Sequence, residues 1–199
     1  MVKDGIPFVI VPFVIALILA YFGWWIIAAL FIAVAAFMAY FFRDPARMMP
    51  VGEGLIISAA DGRVTRIDDS ESGKLISVFL SPLDVHINRS PITGTISRVD
   101  YVVGRKSPAT SDNSSLINER NSLTIDGDSF TVVCTQIAGI LARRIVCWKK
   151  AGDNVQAGER FGLIKFSSRT DLLIPRNANV LVRIGDRVKG GETIIAKLA

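Results

Sequence analysis

"AGDNVQAGE" spans Ala151–Glu159, and "IGDRVKGGE" spans Ile184–Glu192. The two stretches share G-D-x-V-x-x-G-E at an offset of 33 residues. Gly-Asp suits a tight turn, because glycine tolerates positive φ and aspartate bonds its own nearby backbone. Each turn runs into an apolar, strand-like stretch, "RFGLIKF" or "TIIAKL". Upstream, "AADGRVTRI" and "ITGTISRV" read as the partner halves of these units. Any β-protein reuses Gly-Asp turns, but five shared positions in nine mark an internal repeat. The pattern predicts a mainly β domain assembled from paired turn-strand units.

Such units resemble the flattened β-sandwich of biotinyl and lipoyl carrier domains. A carrier presents a lysine between methionines at a turn, and no Met-Lys-Met occurs here. The repeat therefore points to a fold and leaves function open. Further strands are expected at Leu75–Leu80, in "GTISRVDYVVG" and in "NSLTIDGDSFTVVCTQIAG", with Asp-Gly turns at Asp61-Gly62 and Asp126-Gly127. "GILARRIVCWK" continues a strand or holds a short helix. The polar stretch Ser107–Asn121 reads as a long loop, and loops of that length are often functional.

The N-terminus has a different character. From Gly5 to Phe42 there is no Asp, Glu, Lys or Arg, and this run raises the mean hydropathy of the chain to +0.41. One membrane span needs about 20 residues, so the run exceeds a single span and far exceeds the apolar core of a signal peptide. As one helix it would be roughly 57 Å long, nearly twice the hydrocarbon thickness. A break is expected at "YFGWW", with Gly23 as the weak point and aromatics suited to a lipid interface. The halves Gly5–Phe22 and Trp24–Phe42 form a transmembrane helical hairpin, or one span plus an interfacial helix, since Pro7 and Pro12 weaken the first half. Lys3, Arg43 and Arg47 flank the run and favour the cytoplasmic side for both ends. This gives a membrane anchor over 1–43 and a soluble domain over 44–199.

The formal net charge is +5. With an anchor present, an anionic lipid surface is the economical partner for that charge. The basic residues are scattered and no aromatic-basic motif occurs, so nucleic acid is not expected as a partner. Cys134 and Cys147 fit no CxxC or zinc spacing. Reduced, partly buried thiols are expected, with no metal.

Between the repeats lies "FGLIKFSSRTDLLIP", Phe161–Pro175, with adjacent serines Ser167 and Ser168. A serine beside a susceptible peptide bond can rearrange. Its hydroxyl attacks the preceding carbonyl and forms an ester. β-Elimination breaks the ester and leaves dehydroalanine, and hydrolysis then releases ammonia and leaves a pyruvoyl group. A base must accept the hydroxyl proton, and something must orient that base. The chain has one histidine, His86, and a candidate orienting carboxylate in Asp61. Spacing alone does not connect the three.

The ordered series of motifs does. "FFRDP", "SAADGRV", "SPLDVHINRSPITG", "NERN", "QIAGILARRI", "FGLIKFSSRTDLLIP" and "GDRVKGGETIIAKL" make the chain resemble the short-form phosphatidylserine decarboxylase proenzymes over nearly its whole length. The resemblance implies self-cleavage between 167 and 168, with Ser168 becoming the covalent pyruvoyl cofactor. It implies Asp61 and His86 as the residues that serve processing and decarboxylation. The pyruvoyl group would act as electron sink for loss of carbon dioxide, converting phosphatidylserine to phosphatidylethanolamine. It also implies a homodimer at the cell membrane; the flanking Lys3, Arg43 and Arg47 favour the cytoplasmic side for the catalytic domain, and the loop Ser107–Asn121 is the candidate substrate cover. Two departures stand out. The family places Gly before the reactive serine where this chain has Ser167, which predicts slowed or blocked processing. Longer relatives carry a second histidine about where Arg89 falls. The competing reading is a non-enzymatic, membrane-tethered lipoyl-like scaffold that binds lipid or a partner.

Overall fold

The computed structural model describes residues 1–104, 118–139, 145–165 and 168–198. They fall in two compact units, Met1–Ala46 and Arg47–Ala199.

In the first unit a 3-10 turn at Lys3–Gly5 leads into α1 (Ile6–Tyr21), followed by α2 (Trp25–Phe41). Gly23 lies between the helices at φ 81°, the left-handed conformation that glycine takes without penalty. Pro7 sits in the first turn of α1, where its missing N–H is harmless, and Pro12 lies inside the helix. The two helices pack on each other, and the unit's ends meet where Val2 N–H donates to Phe42 O at 3.2 Å. Lys3–Tyr21 is long and apolar enough to cross a membrane, while Trp25–Phe41 is apolar but shorter. Large apolar side chains, such as Ile26, point outward all around the pair.

The second unit is mainly β. Its strands are β1 (Leu55–Ile57), β2 (Gly62–Ser70), β3 (Gly73–Leu80), β4 (Ile87–Arg89), β5 (Gly94–Val102), β6 (Arg120–Asp126) and β7 (Thr131–Ala138). Then follow β8 (Ile145–Cys147), β9 (Asn154–Val155), β10 (Arg160–Ile164), β11 (Ser168–Ile174), β12 (Ala178–Val180), β13 (Arg187–Val188) and β14 (Ile194–Leu198). An antiparallel sheet runs β13-β2-β3-β11-β7-β6-β5-β9, and two smaller ones run β1-β14-β12 and β4-β10-β8. One core joins the strands, with Ile56, Val78, Leu80, Ile96, Leu123, Phe161, Leu172 and Ile195 all at most 1 % exposed. Each such side chain contributes about 1.5–3 kcal/mol by leaving water.

The sequence repeat is a repeat of hydrogen bonds. Gly185 N–H donates to Val64 O, and Val64 N–H to Asp186 O. In the other copy Gly152 N–H donates to Ile96 O, and Ile96 N–H to Asp153 O. Val188 pairs with Gly62 as Val155 pairs with Gly94. Ser58 Oγ donates to Ala60 O and Ser90 Oγ to Ile92 O, both at 2.7 Å. β1 lies on β14 as β4 lies on β10. Glycine at 62 and 94 has a steric cause, since a Cβ would sit 2.0 Å from Phe79 O or 2.2 Å from Asp126 O.

The expected loop Ser107–Asn121 falls mostly outside the described residues. Its last residues are ordered differently from that expectation, because Arg120 and Asn121 begin β6. Both cysteines are free, Cys134 buried and Cys147 partly so. Burial, helped by nearby Asp171 and Cys147, pushes the Cys134 thiol well above its ordinary pKa, so it stays protonated.

Candidate active site

Ser168 opens β11 in the middle of the large sheet, opposite Leu80 of β3 and Ala138 of β7. It is fully buried, and its hydroxyl has no hydrogen-bond partner among the described residues. Leaving a buried hydroxyl unsatisfied costs about 1–3 kcal/mol. Ser167 lies outside the described residues.

Asp61 reaches the same end of the sheet from the other side. It precedes β2, whose Arg63 pairs with Phe79, and Phe79 pairs with Arg169. One strand therefore separates the chain at Asp61 from the chain at Ser168, about 10 Å in the hydrogen-bonding direction. The Asp61 carboxylate accepts from Arg47 Nη2 at 2.9 and 2.7 Å and from Gly190 N–H at 2.8 Å. Arg47 is itself nearly buried, with Glu192 3.8 Å from its other terminal nitrogen.

His86 arrives through β3. That strand ends at Leu80, the neighbour of Ser168, and a short turn carries the chain to His86. The His86 carbonyl accepts from Ile164 N–H at 3.2 Å, four residues before Ser168. The ring is 2 % exposed, and its Nδ1 lies 3.0 Å from the Asp84 carbonyl. A carbonyl can only accept, so in the neutral ring Nδ1 carries the proton and Nε2 is the basic nitrogen.

The topology thus brings the chain at Ser168 and the chain at Asp61 to one end of the large sheet, with His86 on the segment that leads from β3 to β4, although their sequence spacing did not connect them. It does not join Asp61 to the ring through Nδ1, where the expected orienting contact belongs to the Asp84 backbone.

A buried polar chain fastens the two elements that carry Ser168 and His86. Asn121 donates to Gln136 Oε1 at 3.0 Å, Gln136 to Asn88 Oδ1 at 2.9 Å, and Asn88 to Thr170 Oγ1 at 2.9 Å. All four residues are at most 2 % exposed. Asn88 follows His86 by two positions and Thr170 follows Ser168 by two. On the opposite face of β11, Arg169 and Asp171 form a buried ion pair, with Nη2 3.0 Å from Oδ2. Arg89 donates to Gly158 O at 3.0 Å.

Sequence reasoning did not find Arg47, Asp84, Asn88, Gln136 or Thr170. A signal was present for Asp84, since Ser81-Pro82-Leu83-Asp84 has the composition of a turn. Nothing in one sequence links Arg47 to Asp61 or Gln136 to Asn88. Among the described residues no group of three His, Cys, Asp or Glu side chains is arranged to hold a metal.

Comparison with known proteins gives concordant results. A family model described as phosphatidylserine decarboxylase matches residues 34–196. A phosphatidylserine decarboxylase proenzyme of Symbiobacterium thermophilum is 43% identical over 204 residues, covering 98% of this chain and 94% of the relative. One of Anaplasma phagocytophilum is 43% identical, covering 98% and 90%. One of Syntrophus aciditrophicus is 40% identical, covering 96% and 94%.

Proposed function

The chain belongs to the phosphatidylserine decarboxylase family, and from that premise we propose that it is a self-processing decarboxylase acting on the phosphatidylserine headgroup. The observation that supports the site assignment is the buried Ser168 hydroxyl without a partner among the described residues, on a strand paired with Leu80, the end of the strand from which the chain runs on to His86. That hydroxyl fits a prosthetic group made from residue 168 itself. The pyruvoyl group supplies an electron sink for the carbon from which carbon dioxide leaves.

The chain's own residues do the rest. Ser168 Oγ attacks the carbonyl of residue 167 and His86 takes the hydroxyl proton; the 167–168 C–N bond then breaks, its nitrogen takes up that proton, and residue 167 is left as an ester on Ser168 Oγ. The ester then opens by β-elimination, leaving the carboxylate on residue 167 and dehydroalanine at 168. Water replaces nitrogen at residue 168 and ammonia departs. In turnover His86 returns a proton to the substrate carbon after carbon dioxide leaves. Asp61, clamped by Arg47 and the Gly190 N–H, acts on the histidine through the field of its charge and not through a contact with the ring. Ser167 slows the first step relative to glycine, because its Cβ crowds the attacked carbonyl.

Residues 1–43 serve as membrane anchor, a hairpin of two spans or one span plus an interfacial helix, with 44–199 as the catalytic domain in a lipoyl-like sandwich on the cytoplasmic side. The anchor keeps the domain at the bilayer that holds the acyl chains of its substrate. The working form is a homodimer. Phosphatidylserine vesicles test the activity: the native protein releases carbon dioxide, and Ser168→Ala does not. Equal release by both would end the assignment.

A further inference from the structure

The turn between β3 and His86 is closed by more bonds than its length requires. Asp84 N–H donates to Ser81 O at 2.9 Å, an i to i+3 turn with Pro82 at the second position. The Asp84 carboxylate closes it again, with Oδ2 accepting from Ser81 N–H at 2.8 Å and from Ser81 Oγ at 2.7 Å. Arg187 Nη1 stands 3.8 Å from Oδ1. With its side chain so fixed, the Asp84 carbonyl is aimed at His86 Nδ1.

We propose that Asp84 is the positioning residue for His86: its carboxylate locks the Ser81–Asp84 turn so that its carbonyl holds the ring in the Nδ1-protonated tautomer. The arrangement also ties the ring to Leu80, the residue paired with Ser168. A side-chain lock that sets a backbone acceptor does the work expected of a carboxylate touching the ring, and it leaves Asp61 free for its contacts with Arg47 and Gly190. The catalytic half of this proposal rests on His86 acting at Ser168.

The chain's one histidine makes the test direct. Nitrogen-15 histidine labelling gives a single pair of ring nitrogens in the full-length protein in detergent micelles. The native protein is expected to show a neutral ring protonated at Nδ1. Asp84→Ala should average the two tautomers and slow self-cleavage roughly ten- to a hundredfold. Asp84→Asn, whose amide oxygen still accepts from Ser81, should recover the native ring signature. An Asp84→Ala protein with an unchanged ring spectrum would overturn the proposal. His86→Ala separates the two layers. Normal cleavage in that variant removes the histidine from the chemistry, while the ring spectra still decide what Asp84 does.

Discussion

The two copies of the internal repeat share a hydrogen-bond frame and differ in chemistry. At the Gly190 turn the N–H donates to the Asp61 carboxylate, and at the matching turn Ala157 N–H donates to Thr93 Oγ1 at 3.0 Å. A threonine therefore suffices to cap this turn. What Asp61 adds is charge, and Arg47 is the cation that accompanies it. The same contrast holds at the other candidate. Ile164 N–H meets the carbonyl of His86, while Leu198 N–H meets the carbonyl of Gly54. One copy carries the histidine and the other the aspartate, so the site is an asymmetric decoration of a repeated frame.

The sharpest way to break this comparison is to give each site residue its counterpart. His86→Gly, or the milder His86→Ala, should lower self-cleavage by about 100-fold or more, as expected for losing a general base. A mass-spectrometric time course reads this, and cleavage at the native rate would refute the assignment. Asp61→Thr should keep the turn but lose the chemistry. Alone it leaves Arg47 with only the longer contact to Glu192 and should cost about 3 kcal/mol of stability. Pairing it with Arg47→Met should return most of that stability in a denaturant melt without restoring cleavage.

Smaller effects sharpen the same contrast. Gln136→Leu strips Asn88 Oδ1 and Asn121 Nδ2 of their buried partner, loosening the Asn88 amide that reaches Thr170, and should cost about 1–3 kcal/mol while slowing cleavage. Thr93→Val should cost about 1 kcal/mol and leave cleavage untouched, because its turn is only structural. Lys149→Ala comes last. The hydrogen bond from Lys149 at 2.5 Å holds Glu159 below the usual carboxylate pKa, helped by Gln156 N–H. A depressed carboxylate stabilises the fold above its unfolded pKa of about 4.3, and that contribution is lost as pH falls through the folded value. Glu159 is more than a third exposed, so the difference between native and variant should be under about 1 kcal/mol at neutral pH. It should vanish in acid.

The turns of the frame were legible in the sequence because turn chemistry is local: Gly185-Asp186 and Gly152-Asp153 announce themselves by residue type. The break at Gly23 was legible for the same reason. Sheet order was not, since β11 sits between β3 and β7 through pairings that no spacing encodes. Ser168, His86 and Asp61 were nominated by the family-like motifs, while the pairing of Ser168 with Leu80, one strand from the chain at Asp61, is a matter of sheet register that no spacing encodes. Arg47 read as a flanking charge of the apolar run, because its tie to Asp61 exists only in the folded chain. Thr170 and Gln136 looked like ordinary strand residues until β4, β7 and β11 brought their polar atoms into contact.

The central claim is that Ser168 is the point where the chain cuts itself and gains its reactive carbonyl. Intact mass of the purified protein, with and without a carbonyl-trapping reagent, tests this most directly. Two chains are expected, Met1–Ser167 and a small one beginning at residue 168, with the reagent attached to the small chain's first residue. Ser167→Gly should reach that state faster. A single 21.7 kDa species that ignores the reagent, in both the native protein and Ser167→Gly, would contradict it.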